Sequence, residues 1–281
     1  MVSDLGPDFL CIGMQKSGTH WLYHRLRAHP DFCMLPRKEL QFFGRPFPSA
    51  AKKAGLMAKR AEWLAAGTFS AADQSFTDMF MALERRRDHP VSVYRSLFSF
   101  TGDGISGDIT PFYASLSDDQ IARIRADLGD IPVLMLVRDP VARVWSALND
   151  GANKGKVAGA ALREPDALRT QLARPAWAGA SFPSASYWRW SRHFDVRVFF
   201  FDDMLARPVA LRDEIVAHLG GRTGLPMDVH ADENVKAGRL RLDQSDEIRA
   251  ALQQLFAAEL RACAELFGGP ALQWAAQYGV T

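Results

Sequence analysis

Lys16 lies in a short turn, Gly13-Met14-Gln15-Lys16-Ser17-Gly18-Thr19, between an apolar run and a helical pattern. Strand, glycine-containing turn and helix, in that order, make a cradle for an anion. The start of a helix offers unpaired N–H groups and a partial positive charge. Glycines let the anion come close to those groups. Lys16 adds a full charge, and Ser17 and Thr19 add hydroxyl donors. The expected ligand is a phosphate or sulfate ester. The common nucleotide loop puts its lysine directly after the last glycine. Here the lysine comes two places before Gly18, so the loop is of another kind.

A second group lies in "VLMLVRDPVARVWS", from Val133 to Ser146. The apolar run predicts a buried strand ending at Val137, with Arg138 emerging at its C-terminal edge. Open α/β sheets bind ligands at that edge. Pro140 starts a helix that carries Ser146. The planar fork of Arg138 and the hydroxyl of Ser146 suit a second phosphate. A simple Arg138–Asp139 ion pair would account for the arginine without any ligand.

These residues need a scaffold. Three apolar runs, "FLCIGM", "VLMLV" and "VRVFFF", read as buried parallel strands. Each precedes a turn and a helical pattern. The fold expected is α/β, a P-loop-like doubly wound sheet of mostly parallel strands flanked by helices, in a single domain over residues 1–281. Residues from about Gly44 to Arg95 are rich in cations and read as helical decoration, with Arg85–Arg87 on a solvated helix face. Near the C-terminus, Ile248, Leu252, Leu255, Phe256, Leu260 and Leu266 mark an amphipathic helix. Asp246 and Glu247 stand near its start and Gly268 near its end.

Net charge is +2, too small for an overall field that would favour nucleic acid. Cys11, Cys33 and Cys263 share no CxxC spacing, so neither a disulfide framework nor a metal site is expected. The opening "MVSDLGPD" lacks the apolar stretch of a secretory signal, and no apolar run is long enough for a membrane span. The expected setting is the cytoplasm.

"QKSGTHWL" together with "LVRDPVARVWS" resembles the PAPS-dependent sulfotransferases, in their bacterial and heparan-type branch. PAPS is 3′-phosphoadenosine 5′-phosphosulfate. Three further stretches are similar and follow in the family's order: "RKELQFFG", "GDITPFY" and "ENVKAGR". "VRVFFFDDMLARP" also looks like the strand and acidic turn before the late helices. The resemblance implies transfer of a sulfuryl group from PAPS to a hydroxyl, or an amine, of a small-molecule, lipid or glycan acceptor. PAP is released and no metal is needed. Lys16 would neutralise the leaving phosphate, and the amides of Ser17, Gly18 and Thr19 would hold it. Trp21 would contact adenine, Arg138 and Ser146 the 3′-phosphate, and Lys236, Gly238 and Arg239 would close over that phosphate. Glu39 would be the general base, with the apolar "LQFF" drying its surroundings. The acceptor side would be built from insertions near 44–106 and 150–186.

The chain departs from the pattern in places. His20 stands where the family often has a second threonine, so an imidazole takes the place of one phosphate-binding hydroxyl. Ile109 stands where some members carry a lysine. A histidine base, as in the phenol and steroid branch, would fall to His20, His24 or His89. Two other readings remain open. A P-loop kinase-like phosphotransferase would hold Mg²⁺ through a hydroxyl after the loop lysine and an aspartate at a strand end. Ser17 and Asp139 occupy such places, but Arg138 beside Asp139 would repel the ion. A nucleotide-binding protein without chemistry would keep Lys16, Arg138 and Ser146 and have no use for Glu39.

Overall fold

The computed structural model describes residues 5–174, 177, 180–226 and 242–280. Its sheet holds β1 (Phe9–Gly13), β2 (Gly107–Ile109), β3 (Val133–Val137) and β4 (Val196–Phe200) in the order β2-β1-β3-β4. All three pairings are parallel. Every strand therefore delivers its C-terminus to the same edge. The chain leaves β1 for β2 on one side and later for β3 on the other, which makes a switch point beside β1.

Alternation along the strands sorts the core into two layers. Leu10, Ile12, Val133, Met135 and Val137 face one way, into the larger cluster. Phe9, Cys11, Leu134 and Leu136 face the other, against Trp21, Leu22 and Leu26 of α1 (Thr19–Arg27). Both faces are covered, so β1 and β3 are apolar at every position.

Between β1 and β2 run α2 (Ala50–Ala65), α3 (Ala71–Ala82) and α4 (Val91–Ser96). α5 (Asp118–Leu128) leads into β3, and α6 (Pro140–Asn153) leaves it. α7 (Pro165–Leu172) and α8 (Pro183–Ser191) precede β4. α9 (Phe201–Ala206) and α10 (Pro208–His218) follow it, and α11 (Asp246–Phe267) and α12 (Pro270–Gln277) close the chain. The doubly wound fold is as expected. The amphipathic C-terminal helix forms as α11, with Ser245 accepting from the Ile248 amide at 3.3 Å to cap it.

Two expectations need correction. Arg85–Arg87 is not on a helix: α3 ends at Ala82, and Arg86 exchanges backbone hydrogen bonds with Phe47 in an isolated bridge. β2 was not among the expected strands. It is three residues long and carries a buried aspartate, so no apolar run announces it.

β2 can lie against β1 because Gly107 has no side chain. An ideal Cβ there would fall 2.3 Å from two ring carbons of the fully buried Phe9. Gly107→Ala must displace that ring and should destabilise the fold by about 1–3 kcal/mol through overpacking. Urea denaturation checks this. An unchanged midpoint would show that the β1–β2 contact has slack.

Candidate functional site

The turn after β1 ends at Gly18, whose φ of +93° places it in the left-handed region. A Cβ at Gly18 would also meet Met204 Sδ at 2.8 Å, so this position needs glycine twice over. α1 starts here without a side-chain cap and without an acidic residue in its first turn. The amide of Leu22 makes the first helical bond, to Gly18 O at 3.0 Å, so the amides of Gly18 to Trp21 precede the helical ladder. Ser17 is fully buried, and its Oγ has no hydrogen-bond partner. Its amide is already committed to Met14 O at 3.2 Å, so of the three expected backbone donors it is the one taken up by the turn. Thr19 is buried at the head of the helix.

Arg138 reaches this turn from β3. Its Nη1 donates to Lys16 O at 3.2 Å, and its guanidinium lies 4.2 Å from the ring centre of Phe201. Residues 122 positions apart thus share one contact. Lys16, at φ +69°, points its Nζ to within 3.9 Å of Asp150 Oδ1 on α6. Ser146 is half-buried on the same helix, one turn before Asp150. Asp139 caps α6 by accepting from the Val141 amide at 2.8 Å, and accepts from Tyr278 Oη at 2.8 Å on its other oxygen. Both oxygens of the aspartate at this strand end therefore serve structure. Behind it, Arg143 is buried and donates to Ser181 Oγ at 2.8 Å. Burial, and then the neighbouring Arg138, lower its pKa to about 10.

Glu39 stands on the other side of the turn. Its amide donates to Ile109 O at the end of β2, at 3.0 Å. Glu39 and Gln41 both adopt left-handed backbone, at φ +60° and +56°. The Glu39 side chain is 39% exposed and Oε1 lies 3.4 Å from Lys38 Nζ. Leu40 and Phe42 are buried in the core and turn away from it, so "LQFF" does not dry the carboxylate.

A buried carboxylate holds this segment. Asp108 on β2 accepts from Thr110 Oγ1 at 2.6 Å, Tyr113 Oη at 2.8 Å and Tyr94 Oη at 3.1 Å. The same hydroxyls accept in turn. Thr110 Oγ1 takes the Gln41 amide at 3.4 Å, and Tyr113 Oη takes the Phe42 amide at 3.1 Å. Burial pushes the Asp108 carboxyl up, while the three hydroxyls pull it back. Lys52 of α2, also buried, donates to Glu39 O. Burial, and then Arg37, lower the Lys52 ammonium to about 8, with Glu39 and Asp108 opposing.

Lys16, Ser17, Gly18, Thr19 and Arg138 are therefore brought together at one sheet edge, with Glu39 on the β2 side. Trp21 is not an open adenine platform: it is 1% exposed in the core, with its indole N–H buried and unpartnered. His20 and His24 meet Nε2 to Nε2 at 3.1 Å on α1. His89 Nε2 donates to the backbone carbonyls of Phe47 and Glu84, at 3.0 and 2.8 Å. Lys236, Gly238 and Arg239 lie outside the described residues. Among the described residues there is no group of three or more His, Cys, Asp or Glu side chains able to hold a metal, and no helix is long and apolar enough to cross a membrane. No separate signal in the sequence marks out Lys52 or Arg143. Asp108 and Tyr113 lie in "GDITPFY", whose resemblance is legible, but nothing there signals the hydrogen bonds between them.

Residues 7–223 match the Sulfotransferase family. Among solved structures, a sulfotransferase from Alicyclobacillus acidocaldarius is similar at TM-score 0.67 and 21% identity, covering 96% of this chain and 98% of that one. The sulfotransferase domain from the Curacin biosynthetic pathway is similar at TM-score 0.52 and 14% identity, covering 97% of each chain. A curated relative, the membrane-associated sulfotransferase kil1 of Dictyostelium discoideum, is 24% identical over 140 residues. That match takes in 50% of this chain and only 22% of the relative's length. The chain belongs to the sulfotransferase family, and its fold is that of the solved sulfotransferases.

Two outcomes follow from the site's construction. Tyr113→Phe removes a donor to Asp108 and the acceptor of the Phe42 amide. Asp108→Asn replaces an acceptor-only group by one that also donates. Each should destabilise by about 1–3 kcal/mol and speed hydrogen exchange at Gln41 and Phe42; unchanged protection there would show that the network does not hold the segment. The second outcome concerns Lys52. Its pKa is lowered from an ordinary 10.5 to about 8, so the folded chain carries the cost of a buried ammonium below pH 8 and sheds it between about 8 and 10.5. Relative to Lys52→Met, the parent chain should gain stability across that window in urea titrations. A pH-independent difference would contradict the assignment.

Proposed function

We infer that this sulfotransferase-family chain moves a sulfuryl group from PAPS to an acceptor hydroxyl. The observation that carries the reading is the contact of Arg138 with the Lys16 carbonyl, beside the buried and unpartnered Ser17 Oγ. It brings the Lys16 turn and the strand-end Arg138 side by side at the switch point of the sheet, and we read these as two anion-binding positions. A ligand with two separated anionic groups fits that pair, and the orphan hydroxyl gives one of them a donor. When bound, PAPS supplies the activated sulfuryl group.

The chain's own residues then have distinct tasks. The amides of Gly18 and Thr19, the start of α1 and the Ser17 and Thr19 hydroxyls would grip the 5′-phosphate. Lys16 would stabilise the charge that grows on the phosphate oxygen as its bond to sulfur breaks. Its tie to Asp150 keeps the ammonium at the α6 side of the turn until that charge competes for it. Arg138 and Ser146 would hold the 3′-phosphate, Arg138 being stacked on Phe201 and so fixed in plane. Glu39 would accept the acceptor's proton as its oxygen bonds to sulfur. With Glu39 on the β2 side and Arg138 on the β3 side, acceptor and nucleotide would approach the turn from opposite ends of one edge.

PAP should raise the melting temperature in the presence of EDTA. Arg138→Ala should weaken PAP about ten- to hundredfold more than a 3′-dephosphorylated analogue. That comparison cancels the loss of the Lys16 contact, which affects both ligands. No stabilisation by PAP, or equal weakening of the two ligands, would remove this basis for the donor.

Lys16 and Glu39 should fail differently. Lys16→Ala should lower turnover with every acceptor and loosen PAP. Glu39→Gln should keep PAP affinity and lower turnover by about 10²–10⁴-fold, less for an acidic phenol. Near-normal turnover of an alcohol by Glu39→Gln would move the base to His20 or His24. Turnover of ATP in place of PAPS would favour the phosphotransferase reading.

A further inference from the structure

A cavity of about 220 Å³ opens beside Glu39, between the segment after it and the first turn of α2. Gln41, Arg45, Phe47, Ser49, Lys52 and Arg85 contribute to its wall, and no carboxylate does among the described residues. Three cations on one wall with no acid repel one another unless something negative joins them.

Two of the three cations, Arg45 and Lys52, are held by contacts to neutral groups. The Arg45 guanidinium lies 3.8 Å from the ring centre of Phe112, a contact that leaves its N–H donors without a carboxylate partner among the described residues. Lys52 is anchored through the carbonyl of Glu39, so the cavity wall and the candidate base share one stretch of backbone. Arg85 is exposed at the rim, where the chain between α3 and α4 runs past the Phe47–Arg86 bridge. Behind them, Arg37 packs against Gly55 of α2 with its Nε buried and unpartnered. Burial, and after it Arg37, already press the Lys52 proton off, a strain that an anion would relieve. The carboxylates that act on Lys52 are Glu39 and Asp108. Asp108 is saturated by three hydroxyls, and Glu39 is needed for chemistry.

We propose that this cavity is the subsite for an oxyanion carried by the acceptor (a carboxylate, or a sulfate or phosphate ester), which steers the neighbouring hydroxyl to Glu39. The proposal rests on the sulfotransferase reading for its term "acceptor", while the anion site itself stands on the cavity. It narrows the acceptor from any hydroxyl compound to one that already bears negative charge. Arg45 and Arg85 would supply paired donors, and Lys52 a point charge at the inner end.

The test uses the chain saturated with PAP, so that the nucleotide positions are filled. Sulfate, phosphate and 4-hydroxyphenylacetate are titrated by calorimetry against chloride at equal ionic strength. The neutral 4-hydroxyphenylacetamide serves as control. At least one oxyanion should bind saturably without displacing PAP, and the amide should not. Arg45→Gln and Lys52→Met should each weaken that binding about ten- to hundredfold. Arg85→Gln, at an exposed position that does not threaten the fold, should weaken it in the same direction. The proposal is overturned if no oxyanion binds beyond chloride, if the anions displace PAP, or if Arg45→Gln and Arg85→Gln bind as the parent does. Failure of the donor reading has a separate signature. PAP itself would not bind, while the anion would still respond to the cavity variants and ignore Lys16→Ala.

Discussion

The carboxylate of Asp108 is the constraint on which the segment after Glu39 depends. A buried charge is unfavourable unless hydrogen bonds replace the water it has lost. Asp108 meets that demand with the hydroxyls of Tyr94, Thr110 and Tyr113. Orientation is the consequence. Each hydroxyl that donates inward has lone pairs facing outward, and two of these collect the amides of Gln41 and Phe42. Glu39 and Gln41 hold left-handed backbone, worth roughly 1–3 kcal/mol of strain each for residues with a side chain. Such strain persists only where the surroundings over-determine it. The carboxylate thus fixes the backbone beneath Glu39 without touching the glutamate.

A second constraint acts at the turn after β1. Parallel strands put the β1 turn and the end of β3 at adjacent points of one edge, and Arg138 joins them through the Lys16 carbonyl. α6 is fixed at both its ends. Asp139 caps its start and receives Tyr278 from the end of the chain. Further along, Trp145 Nε1 donates to Leu242 O at 2.8 Å, and the Leu242 amide donates to Asn149 Oδ1 at 2.9 Å. Ser146 and Asp150 are therefore carried on a helix that cannot slide relative to the turn. The turn that carries Lys16 is thus held in a fixed frame, and such a frame needs little reorganisation when it meets charge.

The charges are unevenly spread. Net charge is small, yet Arg37, Arg45, Lys52 and Arg85 gather around the Glu39 segment and Lys16 and Arg138 at the turn after β1. Lys52 sits among the first group, and its pKa is lowered by burial first and then by Arg37, with a smaller part from Arg45. Burial and like charge work together there, which is a pattern found where ligands bind.

Much of this was legible in the sequence. β1, β3 and β4 are runs of apolar residues because both faces of the sheet are covered, and such runs are visible without a structure. The turn with Lys16, the strand-end Arg138 and the capped C-terminal helix follow from local chemistry: a glycine needed at positive φ, an arginine after a buried strand, a serine that accepts from a helix amide. What the sequence determined by itself was therefore every feature set by near neighbours. β2 escaped because three residues around a buried aspartate give no periodic signal. Trp21 looked equally suited to a ligand face or a core face, and only the packing of α1 on β1 put it inside. The Arg85–Arg87 run passed for a solvated face until the Phe47–Arg86 bridge brought Arg85 to a cavity wall with Arg45 and Lys52. These outcomes belong to tertiary structure alone, because each depends on contacts between segments far apart in the chain, where no spacing rule reaches.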